Sequence, residues 1–197
     1  MLSPSQKIRL AVFASGSGTN TESILEHFKN NDRIDVSLIV TNKSDAGVIA
    51  RAEKNKVEWV YIPKSEFDDQ ELVEVILDEH KVDWIILAGW LLLVPPYLIK
   101  RYSNRIINIH PALLPRHGGK GMYGRFVHET VKLAGDKESG ITIHLVNEKF
   151  DEGKILAQYK VGLNSSDTAA SIEQKVRQLE LKYFATDIEK ILLSRRG

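Results

Sequence analysis

Short runs of β-branched and other apolar residues recur along the first half of the chain, separated by stretches of mixed polarity. The runs that predict strands are residues 8–14, 36–41, 57–62, 84–88 and 106–110. The segments between them that predict helices are 20–30, 45–55 and 67–80, with a further short one before the fifth strand. Strands that alternate with helices favour right-handed βαβ crossovers. The pattern therefore predicts an α/β fold with a mostly parallel, twisted sheet that is covered on both faces.

The pattern changes after Pro111, where a glycine-rich segment is followed by a helical stretch near 125–134. Two strand-like runs, 141–146 and 155–163, then lie on either side of the turn sequence Asp151-Glu152-Gly153. Two short strands joined by a compact glycine-containing turn are typical of a hairpin. We therefore expect an antiparallel hairpin at one side of the sheet, in the C-terminal half.

The last part of the chain predicts one long helix, from about Asp167 to Leu193, followed by an Arg-Arg-Gly tail. Asp167 is the expected N-cap, because a carboxylate can accept from the first backbone N–H groups of a helix. No repeat, linker or low-complexity stretch interrupts the sequence. We therefore expect a single domain over residues 1–197.

Composition narrows the classes of function. The chain has 27 basic and 26 acidic residues, which argues against a protein that wraps nucleic acid or lies on an anionic membrane. It contains no cysteine, which excludes disulfides, thiolate metal ligands and a cysteine nucleophile. We expect no signal sequence at the N-terminus, where the apolar run is too short, and no apolar run approaches the about 20 residues of a membrane span. We expect a cytoplasmic protein with small-molecule partners.

A turn with two glycines, Ala14-Ser15-Gly16-Ser17-Gly18-Thr19-Asn20, joins the first predicted strand to the first helix. Backbone N–H groups at a helix start, with the helix dipole behind them, favour an anion. A dinucleotide site would have glycine instead of Thr21 and an acidic residue near 41–43, and an ATP loop would have lysine after the last glycine. The turn therefore predicts a monophosphate site. A plain strand-to-helix turn capped by Thr19 or Asn20 is the alternative.

The fifth strand carries two polar residues, Asn108 and His110, which alternation places on the same face. Pro111 ends the strand, so the pair lies at the carboxyl edge, where open α/β sheets bind ligands. An amide and an imidazole together suit an oxyanion on a tetrahedral carbon. Asp151 is the candidate carboxylate that would orient the imidazole and raise its pKa. The alternatives are a structural His-Pro strand end and an Asp151 that only forms the turn.

Histidine is a common metal ligand, and the second half of the chain contains four histidines: His110, His117, His128 and His144. Their spacing matches no ligand pattern such as His-Glu-x-x-His. We therefore predict no metal, and we expect His144 to pack beside the pair of strands.

The segment Asn108-Ile109-His110-Pro111-Ala112-Leu113-Leu114-Pro115 resembles the Asn-x-His-Pro-Ser-Leu-Leu-Pro core of folate-dependent formyltransferases. With Gly16–Asn20, Leu87-Ala88-Gly89-Trp90 and Asp151-x-Gly153, the chain resembles the phosphoribosylglycinamide formyltransferase family over almost its whole length. The resemblance implies a Rossmann-like formyltransferase fold. It also implies transfer of a formyl group from the co-substrate 10-formyltetrahydrofolate to the amine of glycinamide ribonucleotide, in purine biosynthesis. The reaction would be a direct attack through a tetrahedral intermediate, without a metal.

The same resemblance assigns roles to individual residues. It implies that the ribonucleotide is bound by Gly18, Thr19, Asn20, Thr21 and Glu180, with Arg177 as a charge partner one turn before Glu180. It implies that the folate is bound by Leu91, Leu92, Leu93, Val94, Asn108, Asn147, Phe150 and Asp151. The catalytic residues it implies are Asn108, His110 and Asp151.

The chain departs from the family pattern at several positions. Ala112 replaces the serine of the core motif, Leu92 stands where many relatives have arginine, and the segment 64–67 lacks the arginine that often precedes the third helix. Lys64 and Arg116 are candidates to replace these charges. The glycine-rich loop 118–124 is compatible with a mobile lid and equally with a rigid turn.

Other readings remain open at this point. Methionyl-tRNA formyltransferase and formyltetrahydrofolate hydrolase resemble the same core, but the former has a further C-terminal domain and the latter an N-terminal one, and we expect this chain to lack both. Near-neutral charge also argues against a tRNA substrate. A non-catalytic nucleotide-binding module would bind ligand without turnover. The chain is expected to be a monomer or a homodimer.

Overall fold

The computed structural model describes residues 6–195 of the chain. The described chain forms two compact units, which divide between Ile106 and Ile107. The N-terminal residues 1–5 and the last two residues of the predicted Arg-Arg-Gly tail lie outside the described residues. A single domain over residues 1–197 therefore stays a prediction.

The first unit contains four parallel strands in the order β3-β2-β1-β4. The strands are β1 Ile8–Phe13, β2 Ile34–Thr41, β3 Trp59–Tyr61 and β4 Trp84–Leu87. The helices are α1 Thr19–Phe28, α2 Val48–Asn55, α3 Gln70–Glu79 and α4 Pro96–Arg101. The strands β1, β2 and β4 are buried along most of their length, as expected for parallel strands covered on both faces.

The third strand is shorter than its apolar run predicts. The strand is Trp59–Tyr61, and the Glu58 carbonyl and the Ile62 N–H make the flanking hydrogen bonds to β2. Trp59 and Tyr61 are exposed because β3 lies at the end of the strand order. Val57, which was predicted to belong to the strand, instead donates its N–H to the Ala52 carbonyl at 3.0 Å and closes the end of α2. The apolar run was recognised correctly, but tertiary context decided how much of it pairs.

The second unit contains all but the first residue of β5 Ile106–His110, which is antiparallel to β6 Glu138–Leu145, and also β7 Ile155–Gly162. Its helices are α5 Arg125–Leu133 and α6 Ala169–Ser194. β6 pairs with both neighbours, and its register with β5 sets His144 opposite Asn108 and Thr142 opposite His110. The predicted antiparallel hairpin is confirmed as β6 and β7, and the predicted long C-terminal helix is α6. The α/β class is confirmed as well.

The start of α6 differs from the prediction, because the N-cap is Thr168 and not Asp167. Thr168 Oγ1 accepts from the Ser171 N–H at 3.1 Å, and Ser171 Oγ accepts from the Thr168 N–H at 2.9 Å, which together form a capping box. Asp167 instead accepts from Lys175 Nζ at 2.6 Å and from the Asn164 N–H at 2.7 Å. The bond from Lys175, with those from the Asn164 backbone and Ser171, lowers the pKa of Asp167 to about 2.

No helix within residues 6–195 is both long and apolar enough to cross a membrane.

Candidate active site

The glycine turn between β1 and α1 depends on the backbone conformation of Gly18. Gly18 occupies the N-cap position with φ 73°, in the left-handed region, and as a glycine it makes no side-chain capping bond. A Cβ at Gly18 would lie 2.7 Å from Val48 Cγ2, so a side chain is excluded by contact as well as by φ. The N-cap is therefore Gly18, and neither Thr19 nor Asn20 holds that position. The backbone N–H groups at the start of α1 lie next to the glycine turn, and such groups favour the binding of an anion.

Neighbouring residues hold this turn in place from α2. Arg51 Nε donates to the Ser17 carbonyl at 2.6 Å, and the Val48 N–H donates to the Gly16 carbonyl at 3.1 Å. Arg51 also pairs with Glu22, which offsets the one carboxylate in the first turn of α1. Thr21 is 0% exposed, so any part it plays in binding is through packing beneath the turn.

The predicted folate segment Leu91–Val94 follows β4 and presents apolar surface. Leu91 and Leu93 are exposed, Leu92 is half-buried and Val94 is buried. The Leu91 N–H already donates to Ser15 Oγ at 3.1 Å. The segment therefore offers an apolar wall, but the Leu91 backbone donor is taken.

In the second unit, a polar cluster forms where β5 and β6 pair. Asn108 and His110 share a face of β5, as alternation predicts, and their cross-strand partners are His144 and Thr142. His144 Nδ1 lies 2.8 Å from the Leu145 carbonyl, which can only accept, so Nδ1 carries hydrogen. In the neutral ring, Nε2 then accepts from Asn108 Nδ2, 3.0 Å away. His144 thus orients the Asn108 amide.

His110 is 3% exposed and has a different partner at each ring nitrogen. Nε2 lies 2.8 Å from the His117 carbonyl, which can only accept, so Nε2 carries hydrogen. Nδ1 faces Asp151 Oδ2 at 3.4 Å. The nitrogen that is able to exchange a proton beside the carboxylate is therefore Nδ1.

Asp151 lies in the β6–β7 connection with φ 58°, so it does form the turn, as the alternative interpretation holds. Its carboxylate also makes specific contacts outside the turn. Oδ2 accepts from the Gly119 N–H at 2.9 Å, and Oδ1 lies 3.6 Å from His144 Nε2. Asp151 is both a turn residue and a member of the cluster with His110.

The pKa values in the cluster follow from burial and charge. Burial lowers the pKa of His110, and the opposing effects of Asp151 and of the His117 carbonyl do not outweigh it. Our prediction of a raised pKa for His110 is thus wrong in its net direction, because desolvation exceeds the effect of the carboxylate. Burial alone would raise the pKa of Asp151, but the neighbouring imidazoles of His144 and His110 and the Gly119 N–H lower it overall.

Three residues of the cluster were missed by sequence reasoning: His117, Gly119 and His144. His144 was expected only to pack beside the strands. The alternation of β6 gave a usable signal, because Thr142 and His144 repeat the two-residue spacing of Asn108 and His110. His117 and Gly119 act through backbone groups, which no residue type reveals.

The remaining predicted residues of this unit lie on the β6–β7 connection and on α6. Asn147 and Phe150 are half-buried in the connection, and Asn147 Oδ1 accepts from the Lys149 N–H at 3.0 Å. Arg177 is exposed and Glu180 half-buried, one turn apart on α6.

The two suggested replacements for the missing arginines differ in their surroundings. Arg116 Nη2 contacts Asp136 Oδ1 at 2.5 Å, so its charge is already paired. Lys64 is exposed in the first unit, ahead of α3. Of the two, Lys64 is the better candidate for an anion contact.

A metal centre has no obvious ligands in the part of the chain that is described. No group of three or more histidine, aspartate or glutamate side chains there is arranged to hold an ion.

The polar cluster combines an amide donor, a buried imidazole and a carboxylate with a lowered pKa. An amide N–H stabilises negative charge on an oxygen, and an imidazole beside a carboxylate can take or give a proton near neutral pH. Such a set suits attack on a carbonyl carbon through a tetrahedral intermediate. Acyl transfer and hydrolysis both proceed in this way.

The chain is similar to known proteins in both sequence and structure. Residues 8–188 match the family described as formyl transferase. The chain is 42% identical over 89% of its length to the chloroplastic phosphoribosylglycinamide formyltransferase of Arabidopsis thaliana, and spans 62% of that relative. It is 37% identical to the phosphoribosylglycinamide formyltransferase of Bacillus subtilis, covering 96% of this chain and 97% of the relative. The crystal structure of the Anaplasma phagocytophilum phosphoribosylglycinamide formyltransferase superposes with TM-score 0.87 at 28% identity, over 96% of this chain and 89% of the other.

Proposed function

We propose that this chain, which belongs to the formyl transferase family, transfers a formyl group from 10-formyltetrahydrofolate to the amine of glycinamide ribonucleotide. The observation that carries the proposal is the cluster of Asn108 and His110 on β5 with Asp151 in the β6–β7 connection. The names of the Arabidopsis and Bacillus relatives support the choice of acceptor. Because the chain spans about three fifths of the Arabidopsis relative, its activity is proposed from the site and not taken from that protein.

The transfer begins when the neutral amine attacks the formyl carbon. A carbon–nitrogen bond forms, and the electron pair of the carbonyl moves to oxygen. Asn108 Nδ2 has a second N–H besides the one directed at His144, and this N–H stabilises the oxyanion. His144 keeps the amide in the orientation that makes this possible.

Proton movement is assigned to His110 and Asp151. The His110 imidazolium, with hydrogen on both ring nitrogens, donates a hydrogen bond from Nδ1 to the oxyanion, and the Asp151 carboxylate next to it stabilises this charged form of the ring. Asp151 also helps to move the proton of the attacking nitrogen, through water, to the leaving N10 atom. The intermediate then collapses, the bond between N10 and the formyl carbon breaks, and no covalent enzyme intermediate forms.

Ligand binding is assigned to backbone and apolar surface. The glycine turn at Gly18 binds the ribonucleotide phosphate, and Glu180 contacts the ribonucleotide. The Leu91–Val94 segment packs against the pteridine of the folate, with Asn147 and Phe150 as further folate contacts. The left-handed glycine at the start of α1 and the exposed leucines of this segment support these assignments.

The chain's location and assembly rest on the sequence alone. A cytoplasmic, metal-free enzyme that is a monomer or a homodimer remains our prediction.

An absorbance assay with purified protein, glycinamide ribonucleotide and a 10-formyl folate tests the proposal, with and without EDTA. We expect loss of the formyl folate only when the ribonucleotide is present, at a rate that EDTA does not change. Formate release without the ribonucleotide would instead identify a hydrolase. Tight ligand binding without turnover would identify a non-catalytic binding module, and both results contradict the proposal.

A further inference from the structure

His117 has an unusual backbone conformation for its residue type. Its φ is 55°, in the left-handed region, which residues with a Cβ adopt at a cost of about 1 kcal/mol. The position lies directly after Arg116 and before the glycine-rich loop. A histidine in this conformation needs interactions that hold it there.

The His117 side chain supplies those interactions at both ring nitrogens. Nδ1 lies 3.0 Å from Thr130 Oγ1, and Nε2 lies 2.8 Å from Asp136 Oδ2. Thr130 Oγ1 gives its own hydrogen to the Val127 carbonyl at 2.8 Å, so towards His117 it acts as an acceptor. The two ring nitrogens thus tie His117 to Thr130 on α5 and to Asp136, which lies just before β6.

The backbone of the same segment contacts the catalytic side chains. The His117 carbonyl accepts from His110 Nε2 at 2.8 Å, and the Gly119 N–H donates to Asp151 Oδ2 at 2.9 Å. A Cβ at Gly118, between them, would lie 2.4 Å from Leu114 Cδ2 and 3.2 Å from Asp151 Cβ, so a side chain there would displace its neighbours. One short segment thus orients both His110 and Asp151, through main-chain groups.

We propose that His117 and Asp136 are positioning residues for the transfer. Their contact holds the His117 carbonyl where it keeps hydrogen on His110 Nε2 and leaves Nδ1 as the nitrogen that exchanges a proton beside Asp151. Without Asp136, the ring of His117 loses an anionic acceptor that is 8% exposed, and the left-handed backbone loses its support. The carbonyl then no longer determines which nitrogen of His110 carries hydrogen.

The second partner of Asp136 offers a matched control. Arg116 contacts the other carboxylate oxygen of Asp136, but its own side chain is 64% exposed. An ion pair at such an exposed position contributes little to stability. Arg116→Gln removes the positive charge that is paired with Asp136. It leaves the contact between Asp136 and His117 in place.

The first test measures the protonation of His110 by nitrogen-15 NMR on the full chain, in wild type, Asp136→Asn and Arg116→Gln. The charged or titratable groups that face His110 are Asp151, His144, His117 and His128, and all are unchanged in both variants. We expect His110 to be protonated at Nε2 in the neutral ring of the wild type and of Arg116→Gln. In Asp136→Asn we expect a mixture of the two neutral forms. A pure Nε2 form in Asp136→Asn would overturn the proposal.

The second test measures steady-state rates and rests on the proposed function. In Asp136→Asn we expect kcat to fall roughly 10-fold to 100-fold with little change in KM, since a small misplacement of a reacting group has effects of this size. Arg116→Gln should retain kcat. A wild-type protein without transferase activity would contradict the proposed function, whereas the NMR result would still decide the role of Asp136. Equal kcat in Asp136→Asn and wild type would contradict the positioning role.

A third variant covers the case in which Asp136→Asn does not fold. His117→Asn retains a residue that tolerates the left-handed region but lacks the ring that contacts Thr130 and Asp136. We expect the same mixture of His110 forms and the same loss of kcat. A wild-type NMR spectrum of His110 in His117→Asn would show that the ring contacts have no positioning role.

Discussion

The glycine turn of the first unit and the polar cluster of the second use different parts of the polypeptide. The turn offers backbone groups, and it requires one residue, Gly18, whose missing Cβ permits both a positive φ and contact with Val48. The cluster offers side chains, and its properties depend on burial and on the pairing of β5 with β6. A substitution in the cluster should therefore affect chemistry, and a substitution in the turn should affect binding.

The largest effect is expected from His110→Ala. Loss of a positioned acid–base group should lower kcat by about 100-fold to 10,000-fold, while the Kd of the ribonucleotide stays close to wild type. Rapid-quench kinetics and calorimetric titration measure the two quantities. His27→Ala, on the exposed C-terminal end of α1, is the histidine control. Unchanged turnover in His110→Ala would show that His110 is a structural strand-end residue.

A smaller effect is expected from Asp151→Asn, with kcat reduced by roughly 100-fold. The carboxylate raises the pKa of His110 against the effect of burial, so its removal lowers this pKa further. The limb of the pH–rate profile that reports His110 should therefore move to lower pH. Glu152→Gln, an exposed neighbour paired with Lys149, is the control. An identical profile in Asp151→Asn would leave Asp151 as a turn residue only.

Gly18→Ala tests the glycine turn of the first unit. Its Cβ would approach Val48 at 2.7 Å with φ 73°, so we expect a stability loss of about 1–3 kcal/mol. The KM of the ribonucleotide should rise about tenfold, the equivalent of about 1.4 kcal/mol, while kcat at saturation changes less. Urea denaturation and steady-state kinetics measure these. Gly16→Ala, whose Cβ would meet nothing within 4 Å, controls for stability. Equal KM for Gly18→Ala and wild type would argue against a phosphate site at this turn.

The smallest effect concerns the dependence of stability on pH. Burial lowers the pKa of both His110 and His128. In the unfolded chain these histidines have the ordinary pKa of about 6.5, so below that pH they bind protons that the folded chain does not bind. The free energy of unfolding therefore falls as pH decreases, until the pH passes the lower pKa of the histidines in the folded chain. Denaturation at pH 7.5 and 5.5 should show this. His110→Ala should reduce the slope by up to about 1.4 kcal/mol per pH unit, and Gly18→Ala should leave it unchanged. A slope that His110→Ala does not alter would contradict the lowered pKa.

Much of the fold could be predicted because its signals are local. Apolar runs separated by helical stretches identified the strands of the first unit, the β6–β7 hairpin and α6. Predicted element boundaries that depend on a single contact were wrong. Val57 lies outside β3 because it closes α2, and Thr168 replaces Asp167 as the N-cap because Asp167 is held by Lys175.

By itself, the sequence determined which residues could take part in the site. The alternation of Asn108 and His110, the proline after them and the two glycines of the turn are patterns within a few residues, and each has a direct conformational meaning. The tertiary structure decided how these residues behave. Strand register brought His144 to Asn108, and burial reversed the expected pKa shift of His110. Register and desolvation arise from residues far apart in the chain, so no local pattern records them.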